Sequence, residues 1–421
     1  MISEQALLSK LTRRLIPFMF VLYIVSYLDR INVGFAALQL NAALNFGPAV
    51  FGLGAGIFFL GYFIFEVPSN LIMQRVGARV WMARILVTWG VISSAMMFVS
   101  GTASFYVLRF LLGVAEAGFF PGMILYLTYW FPAEARGRAV ARFMTATAIA
   151  GVIGGPVSGV LLKMDGIAGL AGWQWLFLIE GLPAVILGFV TLAYLPDSPK
   201  HAKWLTFEEK AWLESRLSAE RDHVLRHGHA TLGQALGSRH VWTLSFIYFS
   251  VIISFYGISL WLPQIVQSFS AMSDVMVGFV SAIPYLAAAI GMVIVGRSSD
   301  KHGERRWHVA ISAVTGSAGL AAAAFLKDPT AELTALAIAA VGIWGTLGPF
   351  WAMSSRILSG TAAAAGIALI NSVGNLGGFV GPYLIGLVRS RTNSFAGALL
   401  TLAVFPLIGA IVTLLWKRPR I

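Results

Sequence analysis

The chain has 421 residues, of which 58% are hydrophobic and 11% charged, against roughly 45–50% and 25% in ordinary soluble domains. So few charges cannot cover a water-facing exterior, and with a mean hydropathy of +0.79 a soluble globule is excluded. The formal charge of +12 falls mostly between apolar runs, which assigns it to membrane orientation rather than nucleic acid, and the absence of cysteine excludes disulfides, thiolate metal sites and thiol catalysis.

Apolar runs near the ~20 residues that a bilayer demands predict twelve spans. The first six are 15–37, 50–73, 81–100, 104–131, 139–162 and 174–195. A polar stretch from Pro196 to His240 follows, and the second six are 241–266, 276–296, 309–326, 333–353, 362–388 and 395–416. Unsatisfied backbone groups are too costly in lipid for these runs to be anything but helices, and a barrel would show short alternating segments. The expected architecture is an all-α integral membrane protein: an N-terminal six-helix bundle (1–195), a linker (196–240) and a C-terminal six-helix bundle (241–421).

Orientation follows from Lys and Arg. With the N-terminus cytoplasmic, that side receives 24 of the 30 basic residues, among them Lys10, Arg13, Arg14, Arg75, Arg79, Arg138, Arg142, Arg356 and the tail Lys417, Arg418 and Arg420. Lys163, Lys327, Arg389 and Arg391 fall outside, so both termini are expected inside. The first apolar run is too long for a signal peptide and no small-residue cleavage site follows it. The linker interleaves seven Lys/Arg with six Asp/Glu, and its 207–226 stretch has helical spacing, which reads as a cytoplasmic helical tether. His223, His227 and His229 lie close together without an acidic or Cys partner, so a solvated face is expected and no metal site.

The halves share punctuation. Gln74-Arg75-Val76-Gly77-Ala78-Arg79 follows the second span and Asp300-Lys301-His302-Gly303-Glu304-Arg305 the eighth; Gly151, Gly155 and Pro156 punctuate the fifth span as Gly377, Gly381 and Pro382 do the eleventh. Gly77 and Gly303, like Gly155 and Gly381, are 226 residues apart. Duplicated halves of this kind build transporters whose two bundles rock about a midplane site.

The stretch Gly296–Arg306 resembles the loop signature of the major facilitator superfamily, and the chain matches that family's length and six-plus-six plan. More narrowly, Tyr27–Asn32, Gly61–Asn70, Arg109–Gly122 and Ile370–Gly378 resemble the anion:cation symporter family, which includes bacterial proton-coupled permeases for tartrate, phthalate, galactonate and hexuronates and animal vesicular glutamate and sialic acid carriers. The first-half loop departs from the superfamily pattern, with Asn70 and Gln74 where Gly and Asp are usual. The resemblance implies gate roles for Arg75, Gly77, Arg79, Asp300, Gly303 and Arg305, and the Gly151–Pro156 motif, once linked to antiport, is read physically as close packing and bending.

Independently of the family, and apart from Arg84 and Arg142 near the cytoplasmic ends of their spans, the charged residues within spans are Asp29, Arg30, Glu66, Arg109, Glu116 and Glu180, all in the first half, and no His lies in a span. Intramembrane charges are expensive and are functional candidates by default. Arg109 and Glu116, seven residues apart, share a helix face about 10 Å apart along it, presenting a cation and an acid to one cavity. Asp29 and Arg30 point about 100° apart, so one can face the cavity while the other pairs laterally. A carboxylate in low dielectric is suited to carrying a proton, and the resemblance assigns proton coupling to Asp29 and Glu116; the bland reading is a buried ion-pair network. Arg30, whose guanidinium fork suits a carboxylate, is the first choice for the substrate anion; the family implies the same role, with Arg109 a lesser contact. Glu66 and Glu180 precede Pro68 and Pro183, where a carboxylate can satisfy freed backbone donors, so a structural role is favoured.

The second half contributes neutral groups: Tyr256, Trp261 and Gln264 on the seventh span, Trp351 on the tenth, and Asn371 and Asn375 one turn apart on the eleventh. The family's substrate contacts fall at positions resembling Tyr62, Trp351 and Asn371. The expectation is a proton-coupled symporter in a bacterial inner membrane, a monomer without cofactor, importing a dicarboxylate or sugar acid such as tartrate. An aromatic acid such as phthalate, or exchange of anions without protons, are the alternatives. A membrane enzyme lacks a His, Ser or metal constellation here, and a 45-residue linker cannot hold a sensor domain.

Overall fold

The computed structural model describes residues 3–132, 135, 136, 139, 145–226, 235–269, 272–357 and 362–416. Arg138, Arg142, His227, His229, Lys417, Arg418 and Arg420 lie outside the described residues, as do the side chains of His223 and Arg356.

The first half comprises α1 (Glu4–Ala43), α2 (Pro48–Val76), α3 (Ala78–Ala95), α4 (Thr102–Glu116), α5 (Phe119–Thr128), α6 (Ala146–Leu162) and α7 (Gly172–Tyr194). The linker helix is α8 (Phe207–Arg226). The second half holds α9 (Arg239–Phe269), α10 (Asp274–His302), α11 (Arg306–Phe325), α12 (Pro329–Ile357), α13 (Ala362–Asn375), α14 (Gly377–Thr392) and α15 (Phe395–Leu415). Among the described residues ten segments are long and apolar enough to cross a membrane, with α4 and α5 counted as one, and α6 is a shorter apolar helix. With α13 and α14 in line these make the twelve spans that hydropathy predicts.

Two of those spans are broken. α4 ends at Glu116, and the chain resumes as α5 after Ala117 and Gly118; Gly118 takes φ +83, and a Cβ there would sit 2.5 Å from Ser69 Oγ. The eleventh span breaks between Asn375 and Gly377. Hydropathy averages over a window and cannot register a two-residue break, yet such breaks put unpaired helix ends at a transporter's midplane.

Within the first half α3 packs on α7, α2 on α4, and α1 on α6 and α7; within the second, α11 packs on α12 and α15, and α9 on α13, α14 and α15. Two pairs pack most extensively across the halves, α6 on α10 and α14 on α2, with α1 on α9 and α2 on α13 meeting less closely. In each of these two larger pairs one helix, α6 or α14, carries the repeated Gly-Pro pattern, and glycine lets the backbones touch. A Cβ on Gly155 would lie 2.3 Å from the Gly278 carbonyl oxygen, and one on Gly386 would lie 2.4 Å from that of Pro48. Both contacts fall toward the outward ends of their helices, so the halves meet most closely on the side away from the linker.

The linker is not a free tether. Thr206 and Glu209 form a reciprocal cap at the start of α8, with Thr206 N donating to Glu209 Oε2 at 2.8 Å and Glu209 N to Thr206 Oγ1 at 3.2 Å. Lys10 Nζ of α1 donates to the same carboxylate at 2.7 Å. Burial opposes the Glu209 charge, but the Lys10 and Thr206 hydrogen bonds outweigh it and hold the group below the usual glutamate range. The contact therefore contributes fully at neutral pH and is lost only as pH falls through that lowered value. Trp204 stacks on Trp130 at 5.7 Å, Leu205 and Leu213 are buried, and Tyr126 donates to Pro196 O at 2.8 Å. The apolar residues of this segment are too sparse to read as a stripe, so only packing reveals that it docks on the first half.

That docking also answers the first-half loop. Where the superfamily acid is missing, Asp197 of the linker accepts from Arg79 N at 2.9 Å and sits 3.6 Å from Arg79 Nε. In the second half Arg305 pairs with Asp300 at 2.6 Å and donates to Ser299 at 2.8 Å. Gly77 (φ +99) and Gly303 (φ +63) make the two turns, and Arg75 is exposed. Asp197→Ala removes a partly exposed ion pair and one cap of α3, a loss of about 1 kcal/mol. We expect it to raise amide exchange across 196–217 while leaving the fold intact; unchanged exchange would show that the aromatic contacts alone hold the linker.

Candidate functional site

Between the halves lies a cavity of about 40 Å³ lined by Tyr23, Tyr27, Arg30, Tyr62, Phe120, Thr147, Tyr248, Ile252, Phe255, Tyr256, Met292, Leu347, Asn371 and Asn375. A larger, mostly apolar cleft of about 580 Å³ lies between α11 and α12, but its polar groups are limited to Asp328, Thr330 and Thr334 at one end and it holds no basic residue to meet an anion. The interhalf cavity is where charge, donors and aromatic faces meet.

Arg30 is its centre. α1 carries Tyr23, Tyr27 and Arg30 at four- and three-residue spacing, which puts all three on one face. The Arg30 fork is divided: Nη2 pairs with Glu116 and Nη1 donates to Tyr256 of the opposite half at 2.7 Å. Its charge lies over the Phe58, Tyr62 and Tyr256 rings, at 5.4, 5.4 and 5.9 Å, and its Nε has no hydrogen-bond partner among the described residues. Glu116, the last residue of α4, is fixed by Ser26 Oγ at 2.8 Å, one turn before Arg30 on α1.

Asp29 turns the other way. Its carboxyl accepts from Trp89 Nε1 and Ser93 Oγ of α3 and from Asn32 Nδ2 at 3.0 Å. It is buried inside the first half, does not line the cavity, and has no Lys or Arg within ion-pair distance among the described residues.

Arg109 does not reach the cavity either. It is fully buried, donating from Nε to Gly54 O at 3.3 Å and from Nη2 to Ala55 O at 3.1 Å, with its charge 5.1 Å from the Phe58 ring. Spacing placed Arg109 and Glu116 on one face, but each turns to its nearest acceptor or donor: Arg109 to the carbonyls of α2 exposed by glycines, Glu116 to α1.

On the second half Tyr256, Asn371 and Asn375 line the cavity, while Trp351 stands behind it, edge-on to Tyr248 at 5.0 Å. Trp261 donates to Pro382 O at 3.0 Å, inside its own half. Gln264 Oε1 accepts from Asn41 of the first half at 3.3 Å and from Arg389 at 3.1 Å, near the outward ends. Arg389, misplaced by the charge rule, lies 4.1 Å from the Phe395 ring and is held there.

Glu66 and Glu180 make side-chain contacts rather than the backbone ones expected of them. Glu180 accepts from Ser158 at 2.7 Å. Glu66 accepts from Asn371 Nδ2 at 2.8 Å and Ser372 Oγ at 2.9 Å, across the interface between halves.

Sequence reasoning passed over Tyr23, Tyr27 and Tyr248. The first two were findable as the helical neighbours of Arg30; Tyr248, eight residues before Tyr256, carries no mark that separates it from a packing aromatic.

The sequence profile described as Major Facilitator Superfamily matches residues 19–382 and 244–420. An Agrobacterium vitis protein named "Putative tartrate transporter" is 51% identical over 99% of this chain and 92% of its own length. An Acinetobacter baumannii protein named "Quinolone resistance transporter" is 46% identical over 97% and 94%, and the Escherichia coli "Inner membrane transport protein RhmT" 39% over 97% and 94%. Among solved structures, a bacterial homologue of the human lysosomal transporter Spinster superposes with a TM-score of 0.78 at 17% identity, covering 98% of this chain and 97% of that one.

Proposed function

Because this chain belongs to the Major Facilitator Superfamily and is a multi-pass membrane transporter, we propose that it imports a small organic anion, a dicarboxylate or sugar acid such as tartrate, together with protons, across a bacterial inner membrane. The observation that carries this reading is the Arg30 fork, buried between the halves and shared between Glu116 of one and Tyr256 of the other. An arginine kept in the membrane with one acid as its counter-charge is a site built to exchange that acid for another. The 51%-identical relative named for tartrate, and the inner-membrane relative, support the substrate class and the location.

The mechanism follows from charge. With Glu116 ionised, Arg30 is neutralised and an arriving anion has no free partner. A proton on Glu116 releases Nη2, and the anion takes the fork; Tyr256 can remain on Nη1 or yield it. Asp29, held by three donors with no Lys or Arg within ion-pair distance among the described residues, is the second proton site, and moving α1 when Arg30 changes partner also moves the Trp89 and Ser93 contacts. Each charge carried against ~100 mV costs about 2.3 kcal/mol, so two protons cancel the cost for a dianion. The cavity of about 40 Å³ holds about three waters, so the halves must part to admit the substrate.

The test is uptake of labelled tartrate into proteoliposomes, with and without an inward proton gradient. The gradient should accelerate net uptake; Glu116→Gln should keep counterflow and lose gradient-driven accumulation at least tenfold. Uptake indifferent to pH in both proteins, but dependent on internal anion, would replace symport with exchange.

A second reading is favoured by one feature. Seven aromatic rings line the cavity, walls that suit a planar aromatic acid such as phthalate, which belongs in the same assay.

A further inference from the structure

We infer that Glu66 receives the end of the substrate distal to Arg30, and that it must hold a proton when that end is a carboxylate. The inference rests on the site proposed around Arg30 and adds a second recognition point to it. Glu66 lies one helical turn beyond Tyr62, on the cavity face of α2, and is 3% exposed. Its two oxygens take hydrogen bonds from Asn371 and Ser372 of α13. Asn371 lines the cavity together with Arg30. A solute gripped by Arg30 at one end therefore meets, at the other, an amide already engaged by an acid.

The surroundings of Glu66 are unusual for a buried carboxyl. The charged and titratable groups facing it are Arg30 of α1, Tyr62 of its own helix and Tyr248 of α9; among the described residues α13 supplies none. Arg30 is already paired with Glu116, and among the described residues no Lys or Arg is within ion-pair distance of Glu66. A structural acid at a helix break would be expected to bond freed backbone donors. This one instead spends both oxygens on side chains of the opposite half, where they are accessible to a ligand that parts the halves.

The consequence is a charge rule for substrates. An ionised Glu66 accepts hydroxyl hydrogen bonds and tolerates a neutral, hydroxylated end. It repels a second carboxylate, because two like charges in low dielectric cannot both persist. A proton on Glu66 removes the repulsion and gives an O–H that donates to the incoming carboxylate, while Asn371 and Ser372 turn their donors from Glu66 to the substrate. A dianion thus brings a third proton, on Glu66, and a monoanion does not.

The experiment compares tartrate with its monoamide, which keeps the skeleton and removes the distal charge. Affinities are measured by calorimetry on the full-length purified protein between about pH 6 and 8, for the parent and for Glu66→Gln. A single linked proton makes tartrate affinity fall by up to about tenfold per pH unit beyond the dependence of the monoamide. Glu66→Gln should remove that excess, so that tartrate and monoamide then share one pH slope, and the monoamide, bound at whatever altered affinity, still saturates at one ligand per chain, which reports that the variant is folded. If Glu66→Gln does not fold, Asn371→Asp is measured instead: a second acid there should weaken tartrate against the monoamide at least tenfold. An excess slope that survives Glu66→Gln overturns the proposal, and so does a loss of slope shared equally by both ligands, or equal weakening of both in Asn371→Asp. A parent whose tartrate and monoamide slopes agree overturns it while leaving the symport reading standing. A parent that binds neither ligand withdraws the substrate reading, and this proposal with it.

Discussion

Arg30→Ala is expected to abolish measurable anion binding while leaving the protein folded. Hydrogen bonds to a charged group contribute about 1.5–3 kcal/mol each, so a carboxylate held by both arms of the fork loses about 3–6 kcal/mol, or roughly 10²–10⁴-fold in affinity. Stability should suffer less than removal of half of a buried ion pair ordinarily costs, about 3–5 kcal/mol, because the abandoned Glu116 can take up a proton and keep its bond from Ser26. Arg30→Lys separates charge from geometry. A lysine ammonium keeps the charge but cannot serve Glu116 and Tyr256 together as the planar fork does, so binding should fall to an intermediate level. Calorimetry gives the affinities and thermal unfolding the stability. Parent-like binding by Arg30→Ala would reduce the Arg30–Glu116 pair to a structural bridge.

Gly155→Leu should stop transport by a different route. A Cβ at Gly155 would stand 2.3 Å from the Gly278 carbonyl oxygen and one at Gly278 2.3 Å from that of Gly155. Both obstacles are backbone and cannot swing aside, so the leucine fits only if α6 and α10 separate on the outward side. Overpacking of this kind costs about 1–3 kcal/mol when the structure can relax locally; here relaxation means holding the halves apart. We expect net uptake and counterflow to fall by more than about tenfold, with binding from outside retained. The chain lacks cysteine, so one placed at Asn41, which bonds Gln264 across the same closed end, reports the state. Asn41→Cys should react faster with a membrane-impermeant maleimide when Gly155→Leu is present. Normal transport with unchanged labelling would mean that this glycine contact is not part of the cycle.

The two variants fail for different reasons, and the contrast shows how much of the site was readable. Arg30 stood out because a charge in a span is rare, and so did Glu116, Asp29, Arg109, Glu66 and Glu180. Their partners did not. Arg109 and Glu116 share a helix face, yet one closes on the carbonyls of α2 and the other on α1. Glu66 and Asn371, 305 residues apart, meet only because α2 and α13 belong to halves that face each other.

By itself the sequence determined that this chain lives in a membrane, that it crosses about twelve times in two repeated halves, which end carries the positive charge, and which six charged residues lie within the spans away from their cytoplasmic ends. Those properties are sums over composition and period, and the bilayer enforces them on any chain, since it demands length, apolarity and internal hydrogen bonding of every segment. Only the tertiary structure decided which acid holds Arg30, that Arg109 is spoken for by α2, that the fourth span breaks just after Glu116 and the eleventh at the cavity-lining Asn375, and that the linker docks and lends Asp197 to Arg79. A side chain's partner depends on which helices become neighbours and at what height, and on the competition among donors and acceptors at that point, a contest that no one-dimensional spacing records.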